Sequence, residues 1–451
     1  MSCARLSGFG QGFIVHVSQH EHLAGFGILG YGRDQPLCHE EDNSDICYKG
    51  LAPRKMKCIT CKGRGFCGRP VCPILRRLEE TAALPRIGRR LEGMSPPEVF
   101  VGRTGYPLLR AGPLLPAGEG SGRALPHLHL GMDIGEIIAA RTSLVRSESK
   151  IAVEEAATPG GLLSSMQQIA LSAAPVGTEV SFSRPPRGRI SFDGVLSPSG
   201  PSGELEGMEI TTNPVVPRRV DQLAEDRDAG AATAVAELYT SGIGIDHISR
   251  LLSLGLLGKK RKLVPTRWSI TASDDMAGKE LKERVLDGAQ VKDYYLYSGE
   301  DLGNHFEILL LPRPFQFELV EIWMARSVWA EEGFIGGDRE DARPKKGYSS
   351  LAGGYYAARL AALEHLARRG RQAAVLAVRE ISEAYWAPLG VWVVREVARK
   401  AMSTPPQRFS SLEEALAEME KRIRTPLAQW RREAQILDRP VQRSLIEFQD
   451  N

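Results

Sequence analysis

The sequence predicts a mixed α+β fold, and three observations lead to this prediction. Residues 305–324 contain two apolar runs separated by Pro312 and Pro314, which is typical of two strands. Residues 353–369 and 391–402 instead carry apolar side chains at helical spacing. Apolar residues make up 42% of the 451-residue chain and charged residues 25%. This composition fits a globular protein of about two or three domains.

Further segments place apolar residues three or four positions apart, and we predict helices there. Ser411 and Glu414 form a capping-box pattern at the start of an amphipathic helix within 403–437. Asp246 is the predicted N-cap of another helix. The remaining predicted helices are 133–145, 220–239, 246–257 and 372–385.

The N-terminal part of the chain is unusual in charge. Residues 1–55 have no sustained apolar period and are predicted to form a poorly structured extension. Between Arg54 and Arg90 there are eleven Lys or Arg residues and two Glu residues. Such a basic patch is typical of a surface that attracts the DNA backbone, although a solvated Arg-rich surface gives the same pattern.

All seven cysteines lie within the first 72 residues, and four of them form a compact pattern in residues 56–75. Cys58, Cys61, Cys67 and Cys72 have the spacing C-x2-C-x5-C-x4-C. A C-x2-C pair points two sulfurs at one ion, and four thiolates complete a closed tetrahedral site. The sequence therefore predicts a small structural Zn²⁺ module, which stabilises a segment too short for its own core.

Two alternatives to zinc remain open at this point. Cys72 is followed by Pro73, as in iron–sulfur ferredoxins, but the x5 and x4 gaps differ from the ferredoxin spacing. In the second alternative, the four cysteines are free thiols that bind no metal. Metal analysis of protein purified without chelator distinguishes zinc, an iron–sulfur cluster and unligated thiols.

The C-terminal residues 438–451 are predicted to be a flexible tail that binds a sliding clamp. Gln442, Leu445 and Phe448 match the pattern Q-x-x-hydrophobic-x-x-aromatic of a clamp-interacting PIP box. The spacing of three places both apolar side chains on one side of a 3₁₀ turn. Gln449 stands where many such boxes carry a second aromatic residue. Alternatively, Leu445 and Phe448 dock on the protein's own core.

A strongly basic segment in the middle of the chain is a second candidate for DNA contact. A cation run ends shortly before Arg267 and Trp268, which pair a guanidinium with an indole. Asp274 and Asp275 follow, and their carboxylates are possible Mg²⁺ ligands. A basic turn, a buried strand over 263–270 and helix-capping Asp residues give the same pattern. The candidate DNA-binding residues are Lys259, Lys260, Arg261, Lys262, Arg267 and Trp268.

These segments together resemble the archaeal Nre DNA-repair family. The matching stretches include 58–74, 96–107, 262–271, 353–366 and the terminal QRSLIEF, in one order along the chain. The resemblance implies a zinc finger at the four cysteines, a PIP motif at 442–449, and repair of DNA damage together with the sliding clamp PCNA. It also implies an N-terminal domain over 76–290 and a C-terminal α/β region over 291–402.

Three functional hypotheses follow. In the first, the protein is a repair factor without catalysis that binds DNA and PCNA. In the second, it is a metal-dependent nuclease or lesion-processing hydrolase. In the third, it is a scaffold for other repair proteins. The second would use Asp274, Asp275, Glu318 and Glu321, with Arg267 as an anion clamp.

Neither a signal peptide nor a membrane segment is evident in the sequence. The first residues lack a basic stretch followed by an apolar core, and no run approaches the roughly 20 apolar residues of a membrane helix. We therefore expect a cytoplasmic protein.

Overall fold

Two six-stranded β-sheets form the framework of the part of the chain that the structure describes. The computed structural model describes residues 87–117, 130–186 and 196–438, except 329, 331 and 344, together with Cys72 and Arg76. Helices alternate irregularly with the strands, and the predicted α+β class is confirmed.

The first sheet has the strand order β1-β5-β6-β4-β3-β2. Its β4–β6 pair is parallel and the other pairs are antiparallel. Side chains such as Leu109, Leu115 and Val145 point from one face into the core and are fully buried. The strands are β1 (Arg90–Ser95), β2 (Val99–Val101), β3 (Leu108–Pro116), β4 (Leu144–Ala152), β5 (Val176–Phe182) and β6 (Ser202–Ile210).

Within the described residues, two helices and a 3₁₀ turn lie between the strands of this sheet. The helices are α1 (Ile134–Thr142) and α2 (Gly161–Leu171), and the turn covers Val153–Ala157. Asp133 caps α1 by accepting the Glu136 N–H while the Glu136 carboxylate accepts the Asp133 N–H. This reciprocal capping fixes the start of the predicted helix over 133–145.

Four helices connect the two sheets: α3 (Arg218–Glu225), α4 (Ala231–Thr240), α5 (Ile245–Ser253) and α6 (Thr266–Leu286). The single helix predicted over 220–239 is thus wrong. Asp226 accepts the N–H groups of Asp228 and Ala229, and this turn separates α3 from α4. The next helix begins after Gly244, so Asp246 lies in its first turn rather than at the N-cap.

The long helix α6 also corrects the interpretation of residues 263–270 as a strand. It begins directly after Pro265, whose ring suits the entry to a helix, and continues through both aspartates of the acidic pair. Asp274 and Asp275 therefore lie in the middle of α6 and cap nothing.

The second sheet has the order β11-β10-β13-β9-β8-β14. Among the described strands of this sheet, the β10–β13 pair is parallel and the other pairs are antiparallel. The two strands predicted within 305–324 are confirmed as β9 and β10. The strands are β8 (Tyr294–Asp301), β9 (Asn304–Leu311), β10 (Gln316–Trp323), β11 (Phe334–Glu340), β13 (Ala374–Ile381) and β14 (Gln407–Phe409). Two short strands, β7 (Ala289–Gln290) and β12 (Arg371–Gln372), pair separately.

The helix predicted over 372–385 is wrong, because this segment contains β13. All eight residues of β13 are buried, and a strand covered on both faces has the continuous apolar pattern of a buried helix. Its two charged residues point to opposite faces: Arg379 reaches Glu321, whereas Glu380 accepts the N–H groups of residues 424 and 425.

Helices cover both faces of the second sheet. On one face lie α6, α7 (Gly353–Arg369) and α8 (Trp392–Ser403), which confirm the helices predicted over 353–369 and 391–402. The other face is covered by α9 (Leu412–Arg422), α10 (Leu427–Trp430) and a 3₁₀ turn. Ser411 caps α9 as predicted, with its hydroxyl accepting the Glu414 N–H at 3.2 Å.

Candidate nucleic-acid interface

The predicted basic segment lies against a loop of the first sheet. Val101, at the end of β2, donates its backbone N–H to Thr266 Oγ1 at 2.8 Å. Val153 accepts the N–H of Leu263 at 3.0 Å and donates its own N–H to the carbonyl of Pro107 at 2.9 Å. The loop between β2 and β3 therefore runs beside the segment that leads into α6.

Three large apolar side chains are exposed along these two segments. Trp268 lies in the first turn of α6 and is 49% exposed. The predicted contact of its indole with DNA requires such exposure. Tyr106 and Leu108 belong to the neighbouring loop and strand and are 62% and 45% exposed. Neither residue was among the DNA-binding candidates predicted from the sequence. The sequence feature that could have indicated an exposed loop here is the aromatic residue inside the Gly- and Pro-containing stretch GRTGYP.

Cations lie close in sequence to each of the three apolar side chains. Arg110 on β3 lies directly opposite Lys150 on β4, and both side chains are exposed. Arg103 is exposed in the adjacent loop. We call the combined feature the aromatic–basic surface. It consists of Arg103, Tyr106, Leu108, Arg110, Lys150, Lys262, Arg267 and Trp268.

Two carboxylates accompany these cations. Lys262 Nζ lies 2.7 Å from Glu154, and this hydrogen bond raises the pKa of the lysine. Glu148 lies 3.6 Å from Arg110 and 2.5 Å from Arg146. The Lys262–Glu154 pair is largely exposed, and such pairs are weak and screened by salt. A phosphate group can therefore replace the Glu154 carboxylate as the partner of Lys262.

Arg261 does not belong to this surface, which corrects its inclusion among the DNA-binding candidates. It is only 6% exposed, and its guanidinium donates to the carbonyl oxygens of Leu256 and Asp226. Burial lowers its pKa. The side chain therefore holds the turn together from inside, whereas its neighbours Lys259 and Lys260 are exposed.

Both aspartates of the acidic pair on α6, Asp274 and Asp275, form ion pairs with buried arginines. Arg395 Nη1 donates to both oxygens of Asp274, at 2.8 and 3.0 Å. Burial raises the pKa of Asp274 to about 6, although Arg395 acts in the opposite direction. Asp275 lies 2.6 Å from Arg359 and 2.7 Å from Lys279. Both carboxylates thus tie α6 to neighbouring elements.

The other two carboxylates proposed for a hydrolase lie on opposite faces of the second sheet. Glu321 lies 2.6 Å from Arg379 on the side of α7. Glu318 accepts the backbone N–H groups of Gln435 and Ile436, at 3.0 and 2.6 Å, on the other side. The structure does not bring the four carboxylates together, so they do not form the joint metal site that the hydrolase hypothesis required.

Within the described residues, no group of three or more His, Cys, Asp or Glu side chains is placed to hold a metal ion. Of the predicted zinc ligands, Cys72 is described and is half-buried, while Cys58, Cys61 and Cys67 lie outside the described residues. The clamp-binding residues 442–449 lie outside them as well. None of the helices in the described ranges combines the length and the apolar composition needed to cross a membrane.

Comparisons with known proteins identify a family for most of the chain. A family model described as Archaeal Nre, N-terminal, matches residues 66–330, and one described as Archaeal Nre, C-terminal, matches residues 340–448. The DNA repair protein NreA of Archaeoglobus fulgidus is 39% identical over 83% of this chain and 95% of its own length. NreB of the same organism is 34% identical, over 87% of this chain and all of its own length.

A third relative extends the similarity to another organism. The DNA repair protein NreA of Haloferax volcanii is 35% identical over 79% of this chain and 88% of its own length. No solved structure matches the chain.

Proposed function

Because the chain belongs to the archaeal Nre family, we propose that it is a DNA repair factor that binds DNA and is recruited by the sliding clamp PCNA. A repair role is supported by the similarity to proteins named for DNA repair, which extends over 79% to 87% of this chain. DNA binding is supported above all by the aromatic–basic surface. Recruitment is supported by the terminal motif.

The aromatic–basic surface has the electrostatic character that DNA binding requires. Arg110 and Lys150 are neighbours across two strands, so two positive charges are held close together on a rigid sheet. Neutralising phosphates with such cations releases counterions from DNA, which drives binding and makes it depend on salt. The buried arginines of α7 and α8 cannot contribute in this way, because Arg359 and Arg395 are at most 2% exposed and cannot reach a phosphate.

A salt titration tests DNA binding directly. The affinity for a labelled duplex is measured by fluorescence anisotropy at several salt concentrations, for the wild type and for the double variant Arg110→Ala/Lys150→Ala. We expect a shallower dependence of log K on log salt, by about 0.9 for each lost phosphate contact. The matched control is Arg408→Ala/Lys421→Ala, which removes two exposed cations elsewhere. Identical slopes for both double variants would contradict the assignment.

The clamp tail is proposed to leave the folded region at a fixed point. Glu318 holds the backbone of Gln435 and Ile436, and Arg313 donates to the Ile436 carbonyl at 2.9 Å. The last described residue, Asp438, lies 2.8 Å from Arg431. This attachment lies just before the motif of Gln442, Leu445 and Phe448 and would set where PCNA is held relative to the DNA-binding surface.

Clamp recruitment is tested by a pull-down with purified PCNA. Phe448→Ala removes the aromatic side chain that would fill the clamp pocket, and we expect binding to be lost. Glu447→Ala changes a variable position of the same motif and should retain binding. PCNA capture by Phe448→Ala at the wild-type level would exclude the tail as the clamp ligand.

The four-cysteine segment is proposed to be a structural zinc finger. The support is the spacing of Cys58, Cys61, Cys67 and Cys72, since four thiolates match the preference of Zn²⁺. Metal analysis of the full chain, purified without chelator, should give one zinc per protein, and Cys61→Ser should reduce it. A stoichiometric iron content with a chromophore near about 400 nm would show an iron–sulfur cluster instead.

A further inference from the structure

Exposed large apolar side chains are concentrated on the aromatic–basic surface. Among the described residues, six such side chains are exposed, and Tyr106, Leu108 and Trp268 supply three of them. Exposed apolar side chains that are clustered, rather than scattered, commonly mark a binding site. The two rings each present a face of π-electrons, and cations flank both.

The backbone on both sides holds the rings in place. Leu108 donates its N–H to the Gly105 carbonyl at 2.8 Å, and Gly105 has a φ of +85°, so the loop that carries Tyr106 is a tight turn. Trp268 donates its backbone N–H to the Pro265 carbonyl at 2.8 Å, within the first turn of a 21-residue helix. Because the backbone is fixed at both points, only side-chain freedom is lost when a ligand binds to the rings.

The chemistry of this surface distinguishes unpaired from paired DNA. In a duplex, the faces of the bases are already stacked, so exposed rings have nothing to stack on and only the cations contribute. In a single strand, each base offers a free face to an aromatic ring while the phosphates contact Arg and Lys. Cations alone suffice for duplex binding, and they leave the exposure of Tyr106 and Trp268 unexplained.

We propose that the aromatic–basic surface binds single-stranded DNA, with bases stacking on Tyr106 and Trp268 and the backbone following Arg103, Arg110 and Lys150. This inference rests on the proposed DNA-binding function and specifies its substrate class. Single-stranded DNA is the class of substrate exposed at gaps, forks and resected ends. The surface would therefore direct the protein to DNA whose strands are separated.

The test compares oligothymidylate with a blunt duplex of the same length, at one salt concentration, by fluorescence anisotropy with the full chain. Tyr106→Ala and Trp268→Ala should each weaken binding to the single strand by roughly 5- to 100-fold. They should change duplex binding less than about twofold, because phosphate contacts supply that affinity. Tyr106→Phe and Trp268→Phe keep a ring and should recover most of the single-strand affinity.

Tyr348→Ala is the matched control, because Tyr348 is 45% exposed and lies on another part of the molecule, beside Tyr356. It should bind both DNAs like the wild type. Thermal unfolding of each variant shows whether the fold is kept. If Tyr106→Ala or Trp268→Ala is misfolded, Tyr106→Leu and Trp268→Leu, which keep an apolar side chain without a ring, replace them and should lose the same single-strand affinity. The chain has six tryptophans, so quenching of Trp268 by oligothymidylate is measured as the difference between the wild type and Trp268→Phe.

Two outcomes would overturn the inference, and they are distinguishable. If the protein binds both DNAs through the Arg110 and Lys150 charges but is insensitive to Tyr106 and Trp268, stacking is excluded while DNA binding stands. If neither DNA binds the wild type, the proposed DNA-binding function itself fails.

Discussion

Arginine and lysine side chains serve opposite purposes in two regions of the molecule. On the aromatic–basic surface, Arg110 and Lys150 are exposed and face solvent. Between α6, α7 and α8, Arg359 and Arg395 are at most 2% exposed, and carboxylates neutralise them. The exposed charges are available to phosphates and sensitive to salt, whereas the buried charges hold helices together. Charge alone therefore does not identify a binding site, and burial decides which role each residue has.

The largest expected effect comes from breaking a buried ion pair. Arg395→Ala leaves the Asp274 carboxylate buried without its cationic partner, which should lower the free energy of unfolding by about 3–5 kcal/mol. Arg110→Ala removes an exposed arginine and should change it by less than about 0.5 kcal/mol. Urea unfolding measures both.

A double variant shows whether the buried charges themselves are needed. Arg395→Met combined with Asp274→Leu replaces the pair with apolar side chains, and much of the lost stability should return. A single Arg395→Ala variant as stable as Arg110→Ala would show that the pair contributes nothing to folding.

The next-largest expected effect comes from Glu318, the buried carboxylate that binds the backbone of the C-terminal segment. Glu318→Ala removes the acceptor for two backbone N–H groups, and each unsatisfied group should cost about 1–3 kcal/mol. We expect faster hydrogen exchange at Gln435 and Ile436 with little change in β9. Glu413→Ala, an exposed glutamate in the first turn of α9, is the control. Unchanged exchange at both amides would show that the segment is held by its apolar side chains alone.

The sequence could predict much of the second half of the fold. Helices over 353–369 and 391–402 have clear apolar periodicity, and strands β9 and β10 are separated by prolines, so local patterns specify them. Strand β13 could not be recognised, since a strand covered on both faces lacks alternation. Its charged residues, Arg379 and Glu380, interrupt the apolar run although both are buried.

The candidate surface could be predicted only in part. Lys262 belongs to a conspicuous run of cations, and Trp268 follows that run closely. Tyr106 belongs to a distant part of the sequence, and only folding brings its loop beside α6. The burial of Arg261 within the same run of cations depends on the carbonyl oxygens of other segments, which no local pattern reveals.

Two buried histidines should make the free energy of unfolding depend on pH, with an effect of intermediate size. His247 and His365 are at most 9% exposed, and burial lowers the pKa of each to about 4. The unfolded chain binds a proton near its ordinary pKa of about 6.5, so stability is lost as the pH falls from about 6.5 towards 4. Each histidine should account for about 1–2 kcal/mol of this loss at a pH of about 5.

Variants separate this effect from that of Asp274. The pKa of Asp274 is raised to about 6, so its contribution has the opposite sign: stability is lost as the pH rises from about 4 to 6. His365→Gln keeps a polar group beside the Tyr297 hydroxyl and should make stability fall less on acidification than in the wild type. Identical pH profiles by urea unfolding would show that His365 is protonated alike in the folded and unfolded states.

The smallest expected effect comes from one exposed cation, and its buried neighbour Arg261 provides the sharpest contrast between the two roles. Lys262→Ala should weaken DNA binding by about two- to fivefold and lower the salt slope by about 0.7–0.9. It should change the free energy of unfolding by less than about 1 kcal/mol, because the ion pair of Lys262 with Glu154 is largely exposed. Arg261→Ala should leave that slope unchanged but lower the free energy of unfolding by about 1–3 kcal/mol, because the carbonyl oxygens of Leu256 and Asp226 lose their donor. If both variants lowered the salt slope equally, the distinction between exposed and buried cations would fail for this turn, and Arg261 would have to reach DNA by leaving its buried position.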